Sequence, residues 1–451
     1  MIQAYLKEQN TWWQTREVDK SLLGIKRKKY LDIIQDQLKT NRIIALAGIR
    51  RSGKTTILYQ TIQKLLKQKI PPKQILYFKI DDLDQEYKLK QILDIFQEET
   101  GFDIKTKKIF VFIDEIQYLD KWQSQIKRYF DGKYPIKFFI TGSSSALLYH
   151  QASESLAGRI HFIKVFPLNF SEFLNFSKIE LKIQQISLFD KNFFETLKQN
   201  QSKNILLETN IKYQFRQYLE VGGFPEWFEI KQKLKWRKIL KDEYFALILY
   251  KDVVRTFNIK DPLLLEHLVQ EIALNSTNRF SYLNLSNKLD ADKETIKLYL
   301  YYLRSALMIF MLEVYAKTRL ASERKEKKFL FWEEGLRKAI LGRKTNYGQA
   351  LENVISWHLS ILYPDREFNE GFYWRNKREV DFIVKNKDQI MPVEIKSSKQ
   401  VSLTSAKGIL DFMDHFSLNQ AIITTQEQFE KIKINKKIIY FIPAWWLLIS
   451  L

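Results

Sequence analysis

The 451-residue sequence contains no cysteine. This absence excludes disulfide-linked partners, thiolate zinc sites, iron–sulfur clusters and cysteine nucleophiles. Histidine is also scarce, and the five His residues are scattered without HExxH or HxH spacing. Any metal is therefore expected on oxygen ligands, and a carboxylate-bound Mg²⁺ fits this composition best.

Long apolar runs are lacking as well. The longest, IIYFIPAWWLLISL, is interrupted by Pro443 and is too short to span a bilayer, so it predicts a buried strand with its flanks. The first residues, MIQAYLKEQNTWW, do not show the pattern of a secretory signal. We therefore expect a cytoplasmic protein without a membrane partner.

Acidic residues are outnumbered: 52 Asp and Glu stand against 73 Lys and Arg, a net charge of +21. Such an excess suits a polyanion such as DNA, but a lysine-rich solvated surface explains it equally well. Hydrophobic residues make up 45% of the chain. At this length they predict two to four domains, each with its own core.

The texture of the sequence changes twice. Residues 1–167 alternate short β-branched or aromatic runs with helical periodicity, which predicts an α/β domain with a parallel sheet and an N-terminal extension. Residues 168–345 look helical, and residues 346–451 look like a third, mixed domain. Within the middle region, residues 178–210 are polar enough for an insertion or a loosely packed helical hairpin.

Three helices are predicted in the middle region, over residues 262–275, 282–289 and 292–312, followed by the strand-like KFLFW. This order suggests a winged helix with Glu294–Arg304 as its recognition helix. The alternative is a helical lid that contacts no nucleic acid.

A phosphate-binding motif occupies residues 48–55. GIRRSGKT fits G-x-x-x-x-G-K-[ST], follows the strand-like RIIALA and opens a helix. Lys54 would reach the β- and γ-phosphates of ATP, and the Thr55 hydroxyl would ligate Mg²⁺. The predicted nucleotide contacts are Gly48, Ser52, Gly53, Lys54, Thr55 and Thr56.

Two further apolar runs end in polar residues. IFVFIDE ends in Asp114 and Glu115. Asp114 would hold the magnesium shell, and Glu115 would activate the attacking water. IKFFITGSS ends near Thr141 or Ser143, either of which could sense the γ-phosphate unless the segment is only a serine-rich turn. Arg159 could complete the site from its own subunit or from a neighbour in a homo-oligomer, with a surface salt bridge as the alternative.

The runs GIRRSGKT, FIDEIQ, ITGSSS, LAGRI, PLNFSEFL and YLEVGGFPE resemble prokaryotic AAA-type ATPases that carry a C-terminal domain of unknown function resembling restriction endonucleases. The resemblance covers the chain from about Ile43 to the end. It implies an α/β fold class: a P-loop AAA-type parallel sheet with flanking helices, a winged-helix middle, and a PD-(D/E)xK nuclease-like α/β domain. Where that family typically has DTGL, this chain reads Glu333-Glu334-Gly335-Leu336.

The C-terminal region carries two carboxylates and a lysine in a predicted hairpin. A turn near Lys387 would place Asp381 across from Val393 or Glu394, and Glu394 shares a strand face with Lys396. Asp381 and Glu394 could hold Mg²⁺ for phosphodiester cleavage, with Lys396 beside the attacking water. The alternative is an ordinary cross-strand ion pair. The resemblance adds Glu352, on a preceding helix, as a fourth catalytic residue.

Three functions follow from these motifs: an ATP-dependent enzyme that acts on DNA and cuts it, an ATP-driven regulatory switch without nuclease activity, and a DNA-binding loader. A polyanion surface is predicted at residues 314–344, between the predicted winged helix and the nuclease-like domain, because ten Lys and Arg lie there against four Glu. The basic residues are Lys317, Arg319, Arg324, Lys325, Lys327, Lys328, Arg337, Lys338, Arg343 and Lys344.

Overall fold

The computed structural model describes residues 2–80, 88–142, 148, 155–316, 325–342, 345–364, 371–402 and 406–451. These residues form two compact units. Unit 1 comprises residues 1–167 with 305–307, and unit 2 comprises residues 168–304 and 308–451. Within these ranges no helix is long and apolar enough to cross a membrane.

Unit 1 is built on one parallel sheet with the strand order β2-β3-β4-β1-β5. Its strands are β1 (Ile43–Ala47), β2 (Ile75–Lys79), β3 (Ile109–Asp114), β4 (Ile136–Gly142) and β5 (Ile160–Lys164). Its helices are α1 (Ile2–Gln9), α2 (Trp12–Thr15), α3 (Lys20–Leu23), α4 (Lys28–Gln37), α5 (Lys54–Lys67), α6 (Leu89–Thr100) and α7 (Trp122–Asp131). Short 3-10 turns lie at Pro72–Gln74 and Ile116–Tyr118.

The strands of unit 1 are apolar on both faces because each face is covered by helices. Ile43 and Ala45 pack into the core beneath α6 and α7, whereas Ile44 and Leu46 pack into the core beneath α4 and α5. Since all the pairings are parallel, the carboxyl ends of β1, β3 and β4 meet at one edge of the sheet. The loop after β1, Asp114 and Thr141 therefore come together at that edge.

Unit 2 contains a nine-stranded mixed sheet with the order β13-β14-β12-β11-β10-β9-β7-β8-β6. The strands are β6 (Arg279–Phe280), β7 (Ile309–Val314), β8 (Lys327–Phe331), β9 (Phe372–Arg375), β10 (Glu379–Asn386), β11 (Gln389–Ile395), β12 (Gln420–Thr425), β13 (Glu430–Ile434) and β14 (Lys437–Pro443). A parallel pairing of β7 with β9 joins the strands of the middle region to those of the C-terminal region. The regions predicted as 168–345 and 346–451 thus share one sheet.

Helices surround this sheet. They are α8 (Phe170–Phe176), α9 (Phe193–Lys203), α10 (Glu208–Val221), α11 (Trp227–Ile230), α12 (Lys233–Ile239), α13 (Arg255–Phe257), α14 (Pro262–Leu274), α15 (Tyr282–Leu289), α16 (Lys293–Ser305), α17 (Glu334–Leu341), α18 (Tyr347–Leu362), α19 (Lys407–His415) and α20 (Ala444–Ser450). A 3-10 turn lies at Ile205–Leu207, and Leu240–Phe245 and Leu247–Val254 are π-helical.

The predicted helices of the middle region are present as α14, α15 and α16, but the last prediction ran too far. Helix α16 ends at Ser305, Leu307 has a positive φ of 56°, and residues from Ile309 form β7 instead. Residues 309–312, which the prediction includes in the helix, pair with β8 in a buried strand. Tertiary pairing overrides helical spacing there.

The polar segment 178–210 makes packed contacts, contrary to the prediction of a loosely packed hairpin, whereas its being an insertion stays a prediction. Asn200 is fully buried on α9 and bonds the backbone of Gln184 through both side-chain atoms. The carbonyl of Leu197 accepts a hydrogen bond from the indole of Trp446, which lies on α20. The C-terminal apolar run is a strand, as predicted, followed by this helix.

Candidate functional site

The loop between β1 and α5 is shaped by its glycines and by Lys54. A Cβ on Gly48 would lie 2.1 Å from the carbonyl oxygen of Val165, and Gly53 has a φ of +94°. The Lys54 ammonium donates to the carbonyls of Gly48 at 2.8 Å and Ile49 at 3.1 Å, so it lies inside the loop. The Ser52 hydroxyl is buried without a hydrogen-bond partner among the described residues. Such a loop at a helix N-terminus attracts phosphate oxygens.

Asp114 receives hydrogen bonds from three side chains at the end of β3. The Thr55 hydroxyl donates to its Oδ2 at 2.7 Å, Tyr77 donates to the same oxygen at 3.0 Å, and Thr141 donates to Oδ1. Burial raises the pKa of Asp114 and the charge of Glu115 adds to this, although the three hydrogen bonds oppose the rise. All three donors are neutral, so the negative charge of Asp114 has no cationic partner among these contacts.

Glu115 follows Asp114 in the left-handed region, at a φ of 57°. Its backbone N–H donates to the Thr141 hydroxyl at 3.0 Å, and its carboxylate accepts a hydrogen bond from Gln117. Backbone strain of this kind persists only where neighbouring contacts hold the residue in place. Glu115 is therefore fixed at the edge of the sheet where the phosphate loop begins.

Thr141 is placed differently from the prediction that it senses the γ-phosphate. Its hydroxyl has one proton, which it donates to Asp114, while it accepts from the N–H of Glu115. It therefore positions the two acidic residues. Thr56 follows Thr55 in the first turn of α5, and Ser143 lies outside the described residues.

Arg159 lies at the opposite edge of the sheet from the phosphate loop. Its carbonyl accepts from the N–H of Ile43, the first residue of β1, whereas the loop follows the last residue of that strand. Five strand residues separate the two edges by about 16 Å. Arg159 instead forms an ion pair with Asp131 at 2.8 Å. The prediction that it acts on its own subunit's site is wrong, and action on a neighbouring subunit stays a prediction.

A second polar cluster lies in unit 2, where Glu394 is buried and the other three residues are half-buried. Glu352 on α18, Asp381 on β10, and Glu394 and Lys396 around the end of β11 are brought together, and Asp381 accepts from the N–H of Ile395 at 2.7 Å. The Lys396 ammonium lies 2.6 Å from Glu394 Oε1, while Glu394 Oε2 is buried without a hydrogen-bond partner in the described structure. The predicted turn is present at Lys387-Asp388, and its register pairs Phe382 with Val393.

Lys328 was not predicted to join this cluster. It is 1% exposed on β8, and its ammonium lies 2.8 Å from Glu352 Oε1 and 2.7 Å from Glu379 Oε1. Burial would lower the pKa of Lys328, but the charges of Glu352, Asp381 and Glu379 outweigh burial and raise it. The sequence signal, two lysines opening an apolar strand, had been interpreted as part of a basic surface.

Burial sets the protonation of the carboxylates in the cluster. It is the largest cause that raises the pKa of Glu352 and of Glu394, and the nearby charge of Asp381 raises both further. Lys328 opposes the rise at Glu352, and Lys396 opposes it at Glu394. Within the described ranges, no three His, Asp or Glu side chains are arranged as a metal-binding group.

The predicted polyanion surface is not found at its described lysines and arginines. Lys327, Lys328 and Arg337 are buried, Arg337 pairs with Glu334 at 2.7 Å, and Lys338 pairs with Glu220 at 3.0 Å. Lys325 is exposed. The other members, Lys317, Arg319, Arg324, Arg343 and Lys344, lie outside the described residues. The buried and paired cations among them cannot form a surface for DNA, and a polyanion surface at the other residues stays a prediction.

Three family models match the chain. An AAA domain model (AAA_14) matches residues 40–174, and two domains of unknown function follow, DUF8612 over residues 212–347 and DUF4143 over residues 347–447. The first match contains the phosphate loop, Asp114, Glu115 and Thr141. The last contains Glu352, Asp381, Glu394 and Lys396, and since its function is unknown, nuclease activity stays a prediction.

Relatives match along most of the chain. An uncharacterized protein of Methanocaldococcus jannaschii is 31% identical over 429 residues, covering 91% of this chain and 89% of that protein. An uncharacterized protein of Haemophilus influenzae is 25% identical over 431 residues, covering 94% and 98%. The solved structure of the Walker-type ATPase of Pyrococcus abyssi is similar with 16% identity and a TM-score of 0.40, over 70% of this chain and 95% of that chain. The first two matches extend through both units.

Proposed function

Since this chain belongs to the family of its Methanocaldococcus jannaschii relative and its residues 40–174 match an AAA domain model, we propose that unit 1 binds ATP with Mg²⁺ and hydrolyses it. The observation that carries the proposal is the 2.7 Å hydrogen bond between the Thr55 hydroxyl and Asp114. Thr55 lies in the first turn of α5 and Asp114 ends β3, and β4 lies between β1 and β3 in the sheet. A hydroxyl and a carboxylate in contact beside a phosphate loop are the oxygen ligands that Mg²⁺ takes in nucleotide sites.

The contacts of the loop fit this pair of ligands. Asp114 accepts hydrogen bonds from three neutral hydroxyls, and the Ser52 hydroxyl is buried without a partner among the described residues. Thr55 and Asp114 would hold the magnesium ion, which when bound neutralises charge on the phosphate oxygens. Lys54 would place its ammonium on the β- and γ-phosphates in exchange for the two loop carbonyls.

Glu115 would accept the proton of the attacking water. The water oxygen forms a bond to the γ-phosphorus while the bond to the β,γ-bridging oxygen breaks, which yields ADP and phosphate. Gln117 and the backbone contact to Thr141 orient the Glu115 carboxylate for this step. Its position at the carboxyl edge of the sheet is where a base must stand to reach that water.

The test is phosphate release from ATP by the purified chain and by three variants. Glu115→Gln is expected to lower turnover by about 10²–10⁴-fold while ATP binding remains. Lys54→Ala is expected to lose binding as well. Lys67→Ala, on the exposed end of α5, is the control and should match the parent. Undiminished hydrolysis in both site variants would contradict the assignment.

We further propose that the polar cluster of unit 2 acts on DNA as a metal-dependent phosphodiesterase. The observation that favours it is the convergence of Glu352, Asp381, Glu394 and Lys396 from one helix and two strands, with the buried Oε2 of Glu394 left as an acceptor. Asp381 and Glu394 would hold Mg²⁺, and Lys396 would orient the attacking water. The order of α14, β6, α15, α16, β7 and β8 is that of a winged helix, which would hold the DNA.

Plasmid DNA incubated with Mg²⁺ or Mn²⁺, with and without ATP, tests this second function. Nicking that disappears in a Glu394→Ala/Lys396→Ala variant supports it, and Lys399→Ala is a control on an exposed lysine. Equal nicking by both proteins, or none by either, overturns it. In that case the remaining candidates are an ATP-driven switch or a DNA-binding loader, both acting in the cytoplasm.

A further inference from the structure

Unit 1 has a second polar cleft, at the edge of the sheet opposite the phosphate loop. The cleft encloses about 740 Å³ around the amino ends of β3 and β4. Its polar and aromatic lining includes Lys108, Phe130, Lys133, Tyr134, Lys137 and Arg159. We call this site the amino-edge cleft. Its volume lies in the ordinary range of ligand sites, and neither ATP hydrolysis nor the unit 2 cluster uses it.

The lining of the amino-edge cleft is strongly basic. Lys108, Lys133, Lys137 and Arg159 face it, and Asp131 is the acidic residue among the lining residues. Lys137 is 6% exposed, and its ammonium donates to the carbonyls of Gln37, Thr40 and Arg42 at 2.8, 2.7 and 2.6 Å. These three bonds fix a buried positive charge in the wall of the cleft.

The cations of the cleft repel one another. Burial lowers the pKa of Lys137 to about 8, and the charge of Lys108 contributes to the fall. Arg159 is paired with Asp131, but that pair is partly exposed and leaves Lys108 and Lys133 uncompensated by it. An anion placed among these side chains would relieve the repulsion, and each phosphate contact would also release counterions.

Aromatic rings lie beside the cations. Phe130 and Tyr134 are half-buried, and the Tyr134 ring packs edge-on against Tyr129 at 5.1 Å between centroids, which holds it in place. A free phosphate would use the cations alone, whereas a nucleotide unit also offers a base that stacks on an aromatic ring. Cations together with a held ring therefore favour an unpaired nucleotide strand over a simple anion.

We propose that the amino-edge cleft binds single-stranded nucleic acid, with phosphates against Lys108, Lys133 and Arg159 and a base against Tyr134. The site is separate from the proposed ATP and phosphodiesterase sites and does not depend on either activity. A nucleic-acid strand bound there would contact the first residues of β4. Thr141, near the other end of the same β-strand, bonds Asp114.

Fluorescence anisotropy of a labelled oligothymidylate tests the proposal in EDTA, without ATP, so that neither proposed reaction takes place. Lys108→Glu/Lys133→Glu is expected to weaken binding roughly tenfold or more at low salt. Two lost phosphate contacts should also lower the slope of log K against log salt by about 1.4. ATP hydrolysis by this variant should equal that of the parent, which shows that unit 1 is folded.

The matched control is Lys67→Glu/Lys69→Glu, which changes the net charge equally on exposed lysines outside the cleft. An equal loss in both double variants would show attraction to net charge alone and would overturn the proposal, as would unchanged binding in the cleft variant. Photocrosslinking of a strand that carries 5-iododeoxyuridine locates the base. A crosslink in the peptide of Phe130 to Tyr134 supports the proposal, and crosslinks confined to other peptides contradict it.

Discussion

The two acidic sites of this chain are compensated in opposite ways. In unit 1, Asp114 is held by the hydroxyls of Thr55, Tyr77 and Thr141, none of which carries charge. In unit 2, Glu352 and Glu379 share the ammonium of Lys328, and Glu394 contacts that of Lys396. In the described contacts, the carboxylate in unit 1 has neutral donors only, whereas the site in unit 2 contains two cationic partners.

This difference predicts that the two sites respond differently to a metal ion. A carboxylate with only neutral donors gains most from an added Mg²⁺, since burial makes its uncompensated charge costly. A carboxylate that already has a lysine must exchange or share that partner before a metal adds much. We therefore expect unit 1 to respond strongly to Mg²⁺ and unit 2 to depend on Lys328.

Lys328→Met should have the largest effect, a loss of stability in unit 2. Removing the ammonium leaves Glu352 and Glu379 without their buried partner, and losses of about 3–5 kcal/mol are typical of such changes. Urea unfolding at neutral pH measures the loss, with Lys325→Met on an exposed lysine as the control. If Mn²⁺ restores more stability to the variant than to the parent, the cluster accepts a cation. A loss no larger than the control's would show that the ion pairs do not hold unit 2 together.

Acidity should change the stability of unit 2 through Glu333. Burial raises the pKa of this carboxyl from 4.5 to about 7, against hydrogen bonds from the N–H groups of Leu336 and Gly223. The folded state thus keeps a proton that the unfolded state releases, so stability falls as pH rises from about 4.5 to about 7, by roughly 3 kcal/mol in total.

Glu333→Gln should flatten that part of the pH dependence, as followed by unfolding midpoints on either side of the interval. Glu229→Gln, an exposed residue of α11, is the control. If the variant and the parent lost stability in parallel as the pH rose, Glu333 would not be the group that titrates.

Thr55→Ala tests the uncharged side of the comparison. Loss of the hydroxyl that bonds Asp114 should raise the Mg²⁺ concentration needed for half-maximal ATP hydrolysis by about 10–100-fold. Thr55→Ser keeps the hydroxyl and should change that concentration little. Hydrolysis measured over a Mg²⁺ titration gives the result, with Lys67→Ala as the control. If the alanine variant kept the parent's Mg²⁺ response, the contact between Thr55 and Asp114 would not be where the cation binds.

Local motifs predicted what local geometry determines. The phosphate loop, the acidic pair after β3 and the hairpin at Lys387-Asp388 are each set by adjacent residues. A two-residue turn fixes the register of its strands, so Asp381 and Glu394 could be placed from the sequence. The parallel sheet of unit 1 followed from the alternation of apolar strands and helices.

Contacts between distant strands could not be predicted in this way. Lys328 reaches the cluster because β8, β7, β9 and β10 are neighbours in one sheet, and no spacing in the sequence encodes that order. Arg159 lies in LAGRI, one of the runs that resemble AAA-type ATPases. The direction of β5 nevertheless places it at the edge of the sheet opposite the phosphate loop. Lys328, Arg337 and Lys338 were counted toward a basic surface for a related reason: a count of lysines and arginines does not distinguish a solvated side chain from a buried ion pair.

Tyr77→Phe should have the smallest effect on stability. The phenol supplies one of three neutral hydrogen bonds to Asp114, at 3.0 Å, and its loss should cost about 1 kcal/mol. Since that bond lowers the pKa of Asp114, the acidic limb of the pH–rate profile for ATP hydrolysis should move to higher pH. Tyr129→Phe, in the same unit, should leave the limb in place. A loss of stability as large as that expected for Lys328→Met would mean that the hydroxyls around Asp114 act as a single network. The contrast with the charge-compensated cluster of unit 2 would then rest on cooperativity instead of on charge.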